Sequence, residues 1–301
     1  MTSPYSPQWL DVDGVVNMRD VGGMPTLGGG VIASGRLIRS DNLQELPPAS
    51  VRRLVDELHV TDIVDLRTAV EVAAEGDGPL LAEPRVRVRH LSLFTEDTVE
   101  SGIPAGEQVL PWERSTGRAD SAAETAETAE TAETGIPATS SAPERHGVDE
   151  DSNDRHDAYW SSHYLGYLRQ RPDSVVAALR TVATSRGATI VHCAAGKDRT
   201  GTVVGIALLL AGADPEAVVA DFALSAERVP QIMARLSRRP AYAANLVGKT
   251  VDQQSPRADT MWRLITALES LEAGGGLEAW LARHGWTNDD TAVLRARLLE
   301  A

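Results

Sequence analysis

One stretch restricts the fold more than any other. Residues 188–192, Ala-Thr-Ile-Val-His, form a short apolar run rich in β-branched side chains, and residues 200–210 form a second apolar run containing Gly201 and Gly205. The first run reads as a strand, and the second as a helix with no polar face, hence buried. A wholly apolar strand that feeds a buried helix needs cover on both faces of its sheet. The expected class is therefore α/β, with a mainly parallel central sheet flanked by helices. Ligands of such sheets sit beyond the carboxyl ends of the strands, where this chain places Cys193.

The flanking sequence fits that frame. Residues 17–23 (NMRDVGG) make a polar segment closing on two glycines, and residues 35–43 (GRLIRSDNL) a strand-like piece through Arg39-Ser40-Asp41. Residues 50–58 have a helical apolar face, 61–66 read as a strand ending at Arg67, and 86–93 alternate as a half-buried strand. Residues 158–184 read as one long helix. Asp214-Pro215 opens another with an Asp cap and Pro in the first turn. From there the C-terminal part is helical, broken at Gly274–Gly276. The expectation is a single domain over residues 1–301.

The formal net charge of −14 is unevenly spread. Residues 96–157 hold 16 acidic and 4 basic side chains, which leaves 27 acidic and 25 basic elsewhere. The acidity therefore does not exclude an anionic substrate. Residues 124–134 (ETAETAETAET) repeat every third position, a period that drifts round a helix, and Ala and Thr offer little to bury. Residues 96–157 are expected to be an acidic, low-complexity, disordered insertion, with a solvated single helix as the alternative.

Cys193 is the only cysteine, so internal disulfides, Cys-rich metal sites and a redox relay with a resolving thiol are excluded. An isolated cysteine at a strand end is ordinarily core filling. Here the surrounding pattern, His-Cys-x-x-Gly-x-x-Arg-Thr, argues for chemistry. Backbone N–H groups from Ala194 to Arg199 precede a helix and can converge on one centre, which binds an anion and stabilises a thiolate at Cys193. Arg199 can return its planar fork to two oxygens of the same anion. Gly196 permits the tight turn, Thr200 is placed to donate to the Cys193 sulfur, and Lys197 adds a point charge at the pocket mouth unless it faces solvent. Ala194, Ala195, Gly196, Lys197 and Thr200 are thus the candidate substrate-binding residues, and Cys193 and Arg199 the catalytic ones.

The loop resembles the Cys-x5-Arg signature of the protein tyrosine phosphatase superfamily, in the form HCAAGKDRTG found in one bacterial branch. NMRDVGG, GRLIRSDNL, TDIVDLRTAVEV, DFALSAERVPQI and GGGLEAWLARHGW resemble further segments of that branch. The resemblance covers most of the chain outside residues 96–157. It implies a protein tyrosine phosphatase fold and metal-free, cofactor-free hydrolysis of phosphate monoesters through a cysteinyl-phosphate. Phosphotyrosine proteins are the implied substrates, with phosphoserine, phosphothreonine and phosphoinositides also open. The resemblance implies a catalytic general acid: Asp198, which sits in the loop and matches an Asp of the branch, or Glu96 and Asp97, which fall where the superfamily's separate acid loop would lie. Asn17, Arg19, Asp20, Arg39 and Ser40 either brace the loop or merely shape turns. Residues 225–257 are either a helical lid or packed core.

Other readings fail. Gly248-Lys249-Thr250 resembles the tail of a nucleotide-binding loop, but Ala243 stands where its glycine is required. The seven histidines show no metal-ligand spacing, and no basic-aromatic pattern points to nucleic acid. No apolar run spans a bilayer, and no basic, apolar leader opens the chain, so a cytoplasmic location without membrane insertion is expected. The competing function is a non-catalytic phosphate-binding module.

Overall fold

The computed structural model describes residues 5–76, 78–95 and 150–300. Six strands, β1 (Gln8–Trp9), β2 (Arg19–Asp20), β3 (Leu37–Ser40), β4 (Val60–Asp65), β5 (Arg87–His90) and β6 (Ala188–His192), form one sheet in the order β1-β2-β3-β6-β4-β5. The pairings β3–β6, β6–β4 and β4–β5 are parallel, and β1–β2–β3 is an antiparallel edge. The sheet is mostly parallel, and β6 lies at its centre.

The period of two sorts the central strands between two cores. Leu37, Val64 and Val191 enter one apolar cluster, and their neighbours Ile38, Ile63 and Ile190 the other. The larger core packs helices α3 (Glu150–Gln170), α4 (Pro172–Thr184), α5 (Asp198–Ala211), α6 (Pro215–Leu224), α10 (Ala258–Glu269), α11 (Gly276–Arg283) and α12 (Asn288–Leu298). The opposite face is covered mainly by α1 (Pro48–Arg52), the wide turn at Arg53–Glu57 that continues it, and the segment around Leu80. Both faces are covered, but unequally.

Helix α5 behaves as its composition requires. Val203, Val204, Ile206, Ala207 and Leu208 are all buried, because the helix runs between the sheet and the outer helices. Each such aliphatic side chain contributes about 1.5–3 kcal/mol by leaving water. Pro172 divides what the sequence presents as one long helix, since a ring without an N–H fits the first turn of α4 but not the interior of α3. Asp214 caps α6 as expected, accepting from the Glu216 amide at 3.0 Å.

One boundary is corrected. Residues 150–157, read above as the end of the insertion, are the first turns of α3. Asp157 is buried there and accepts from Thr260 Oγ1 of α10 at 2.8 Å, so this acidic stretch is anchored by tertiary hydrogen bonds that no local pattern reveals. Residues 96–149 lie outside the described residues. Between α7 (Val229–Leu236) and α10 the chain forms two short helices, α8 (Ala243–Leu246) and α9 (Val251–Gln254). Among the described residues, no helix is long and apolar enough to cross a membrane.

Candidate active site

The centre of the site is the loop from Cys193 to Arg199, carried from the carboxyl end of β6 into the first turn of α5. Its carbonyls are held from outside. Asn42 N–H donates to the Ala194 oxygen at 3.0 Å, Asn17 Nδ2 to the Ala195 oxygen at 2.9 Å, and Arg39 Nη2 to the Gly196 oxygen at 2.9 Å. In a planar trans peptide the C=O and the following N–H point opposite ways. Three outward carbonyls therefore turn the N–H groups of Ala195, Gly196 and Lys197 inward. Gly196 has φ +68°, and a Cβ there would lie 2.6 Å from the Ser40–Asp41 backbone, so only glycine fits.

Two buried carboxylates hold this arrangement. Asp221 of α6 accepts Arg19 Nε at 2.8 Å and Arg39 Nη1 at 2.6 Å. Arg19 Nη1 in turn donates to Asn17 Oδ1 at 2.8 Å, so both arginines connect Asp221 to the loop carbonyls. Burial alone would raise the Asp221 carboxyl, but Arg19 and Arg39 hold it below the usual carboxylate range.

Glu71 is the second. Its oxygens accept Arg199 Nη1 at 2.6 Å and Arg199 Nη2 at 2.9 Å. Arg199 Nη1 also donates to the Leu66 carbonyl at 3.3 Å. Of the five guanidinium N–H donors, this leaves Nε–H and one Nη2–H, which share one edge, for a ligand's two oxygens. Glu71 sits at the N-terminus of α2 (Ala69–Glu75) in a reciprocal capping box with Thr68, which fixes its rotamer. Burial opposes the charge of both Glu71 and Arg199, and their pairing overcomes it: Glu71 titrates low and Arg199 high.

Asp198 accepts from Tyr164 Oη at 2.6 Å and is partly open to the cavity above Cys193. That cavity, of about 160 Å³, has an aromatic wall of Phe94, Tyr159, Trp160, His163 and Tyr167. Its cover comes from residues 236–254, of which Leu236, Tyr242, Asn245, Leu246 and Gln254 line it. Residues 236–254 thus form the roof of the pocket.

With the geometry described, comparison with known proteins is decisive. The model of the tyrosine phosphatase family matches residues 10–300, nearly the whole chain. The chain belongs to the tyrosine phosphatase family. It is 32% identical over 75% of its length, and 72% of the relative's, to a protein named triple specificity protein phosphatase PtpB from Mycobacterium tuberculosis. It is 31% identical over 40% of its length, and 42% of the relative's, to a protein named tyrosine-protein phosphatase from Nostoc commune. It is a protein-tyrosine phosphatase, with the α/β fold expected from its loop.

Two expectations for this phosphatase are corrected. The Thr200 hydroxyl is buried with no hydrogen-bond partner among the described residues, so it makes no bond to the Cys193 sulfur. Lys197 is not an open charge at the mouth: it is 5% exposed, and its ammonium donates to the Gln254 carbonyl at the end of α9. The roof helix draws it in. Of the five bracing candidates, Asn17 and Arg39 bond loop carbonyls directly, and Arg19 acts through Asn17. Asp20 instead accepts from the Gly22 and Gly35 amides, and Ser40 contributes backbone against Gly196. Glu96 and Asp97 lie outside the described residues. Sequence reasoning missed Glu71, Asp221 and Tyr164. Only Glu71 carried a local signal, the Thr68-x-x-Glu71 capping box. No group of His, Cys, Asp and Glu among the described residues could hold a metal ion.

Proposed function

We propose that this phosphatase hydrolyses phosphate monoesters through a cysteinyl-phosphate. The observation that supports this is the loop's set of outward carbonyls, which directs three amides toward the space above Cys193. The Nε–Nη2 edge of Arg199 completes the anion cradle. The Cys193 thiolate, favoured by these amides and the N-terminus of α5, attacks phosphorus. The bond to the leaving oxygen breaks as Asp198 gives that oxygen its proton. Water then attacks the phosphoenzyme, the Asp198 carboxylate takes the water proton, the sulfur–phosphorus bond breaks, and the thiolate returns. Positioning and charge stabilisation carry such transfers, and the reaction needs no metal or cofactor.

Phosphotyrosine is the substrate class best supported, because the aromatic wall offers a flat, apolar face to a phenyl ring. Activity on phosphoserine, phosphothreonine and phosphoinositides extends the proposal, since the Mycobacterium tuberculosis relative carries a triple-specificity name. Release of phosphate from an aryl phosphate by the wild type and by Cys193→Ser tests the core. Equal rates would leave only a phosphate-binding module. Asp198→Asn is expected to lower kcat about 10²–10⁴-fold with phenyl phosphate, and far less with p-nitrophenyl phosphate, whose leaving group needs no proton. An equal loss with both would transfer the acid role elsewhere.

A further inference from the structure

A second cavity opens beside the catalytic loop, beyond the carboxyl ends of β4, β5 and β6, and nothing in the proposed reaction uses it. It has a volume of about 150 Å³, and its walls are aliphatic: Leu43, Ile63, Val72, Leu80 and Val88. Polar groups gather at Arg67, Gln44, His90 and His192. In open α/β sheets this edge is where ligands bind, and an apolar cavity with a few converging polar groups is the usual form of a small-molecule site.

The polar groups define the ligand. Arg67 is 1% exposed and pairs through Nε and Nη2 with Asp65 at 2.9 and 2.6 Å, yet among the described residues its buried Nη1 has no hydrogen-bond partner. Gln44 Oε1 is likewise buried and unpartnered. A buried donor and a buried acceptor left unmet each cost free energy that a matching ligand would recover. Among the described residues, the charges at this end of the cavity already cancel. Asp65 and Arg67 form a close pair, and burial pushes His192 down to about 4, so its ring is neutral at pH 7. A net-neutral, low-polarity cavity disfavours an ion that brings no counter-charge.

We propose that this cavity binds a small, uncharged, mainly apolar molecule whose polar head carries an oxygen acceptor beside an N–H or O–H donor, as an amide does. The acceptor meets Arg67 and the donor meets Gln44. The site is separate from the phosphate loop, and its occupation does not require the catalytic cysteine to be free.

Benzamide and benzoate, nearly equal in size and unlike in charge, are suitable probes. They are titrated into the full chain carrying ¹³C-labelled Ile, Leu and Val methyls. Benzamide is expected to shift the Ile63 and Val88 methyl signals saturably, with a Kd on the order of 1 mM, ordinary for so small a ligand. Benzoate should bind at least about fivefold more weakly, and vanadate should leave the benzamide shifts in place. Gln44→Leu should weaken benzamide about fivefold while aryl phosphate turnover stays unchanged. Absence of saturable shifts, equal or tighter binding of benzoate, displacement by vanadate, or an unaltered affinity in Gln44→Leu would each overturn the proposal. The first two outcomes are read without reference to catalysis, so failure of the phosphatase mechanism would not be mistaken for failure of this site.

Discussion

At the scale of single residues, the site depends on carboxylates whose partners are arginines around the loop. Asp221 ties Arg19 and Arg39 together, and each arginine leads to a loop carbonyl. Asp221→Asn keeps the shape but leaves two buried guanidinium groups without a counter-charge. It is expected to lower vanadate affinity and kcat/KM together, about 10- to 100-fold, because a buried charge-assisted contact is worth roughly 1.5–3 kcal/mol. A variant that loses thermal stability but binds vanadate as tightly as wild type would make Asp221 a purely structural residue. Glu71→Gln removes the partner that holds Arg199 by its far edge. Its kcat should fall more than its KM rises, since the arginine is needed most when phosphoryl charge redistributes. Steady-state kinetics on an aryl phosphate separates the two parameters.

At the scale of elements, the catalytic unit is a strand, a loop and a helix whose turn must be left-handed at one position. Gly196→Ala combines a φ of +68° with a Cβ driven into the backbone of β3. Loss of vanadate binding is the expected result, with far-ultraviolet dichroism retained. Helix α2 is the second working element. Its capping box places Glu71, and one turn later Glu75 accepts from Arg239 and from the Ala241 amide in the roof. The same short helix therefore contacts both Arg199 and the pocket cover. Thr68→Ala removes the cap and should cost about 1 kcal/mol in denaturant melts. It should also lower kcat, because the Glu71 rotamer loses one of its constraints.

At the scale of the molecule, the central strand ends in a buried histidine. His192 is held down to about 4, chiefly by burial, against an unfolded value near 6.5. The unfolded chain therefore binds the extra proton between those values, and stability must fall as pH drops from about 6.5 to about 4. The loss from this group is on the order of 3 kcal/mol. Urea midpoints across that range should slope in the wild type and flatten in His192→Gln. A further loss below pH 4 belongs to Asp65, which the neighbouring His192 ring and the Arg67 guanidinium hold below the carboxylate range despite its burial. Persistence of the upper slope in the histidine variant would assign it to other groups.

What was legible in the sequence is what local physics dictates. The apolar run of β6, the all-apolar face of α5, the glycine at the turn and the cysteine–arginine spacing follow from periodicity and from the reach of a short loop. They determined the fold class and placed Cys193 at the carboxyl end of the central strand. Apolar periodicity continues across Pro172, so the sequence presents two helices as one, and the charge of residues 150–157 masks the anchoring of Asp157. The partners of the loop could not be read at all. Asp221 lies far along the chain from Arg19 and Arg39, and Glu71 from Arg199. Such pairs exist only after the sheet has brought their elements together. The same holds for Lys197, which local sequence leaves as a free charge and the roof helix turns inward. Short-range order is encoded in neighbours and periods. The choice of which buried charge meets which is made by burial, where an unpaired ion is too costly to keep.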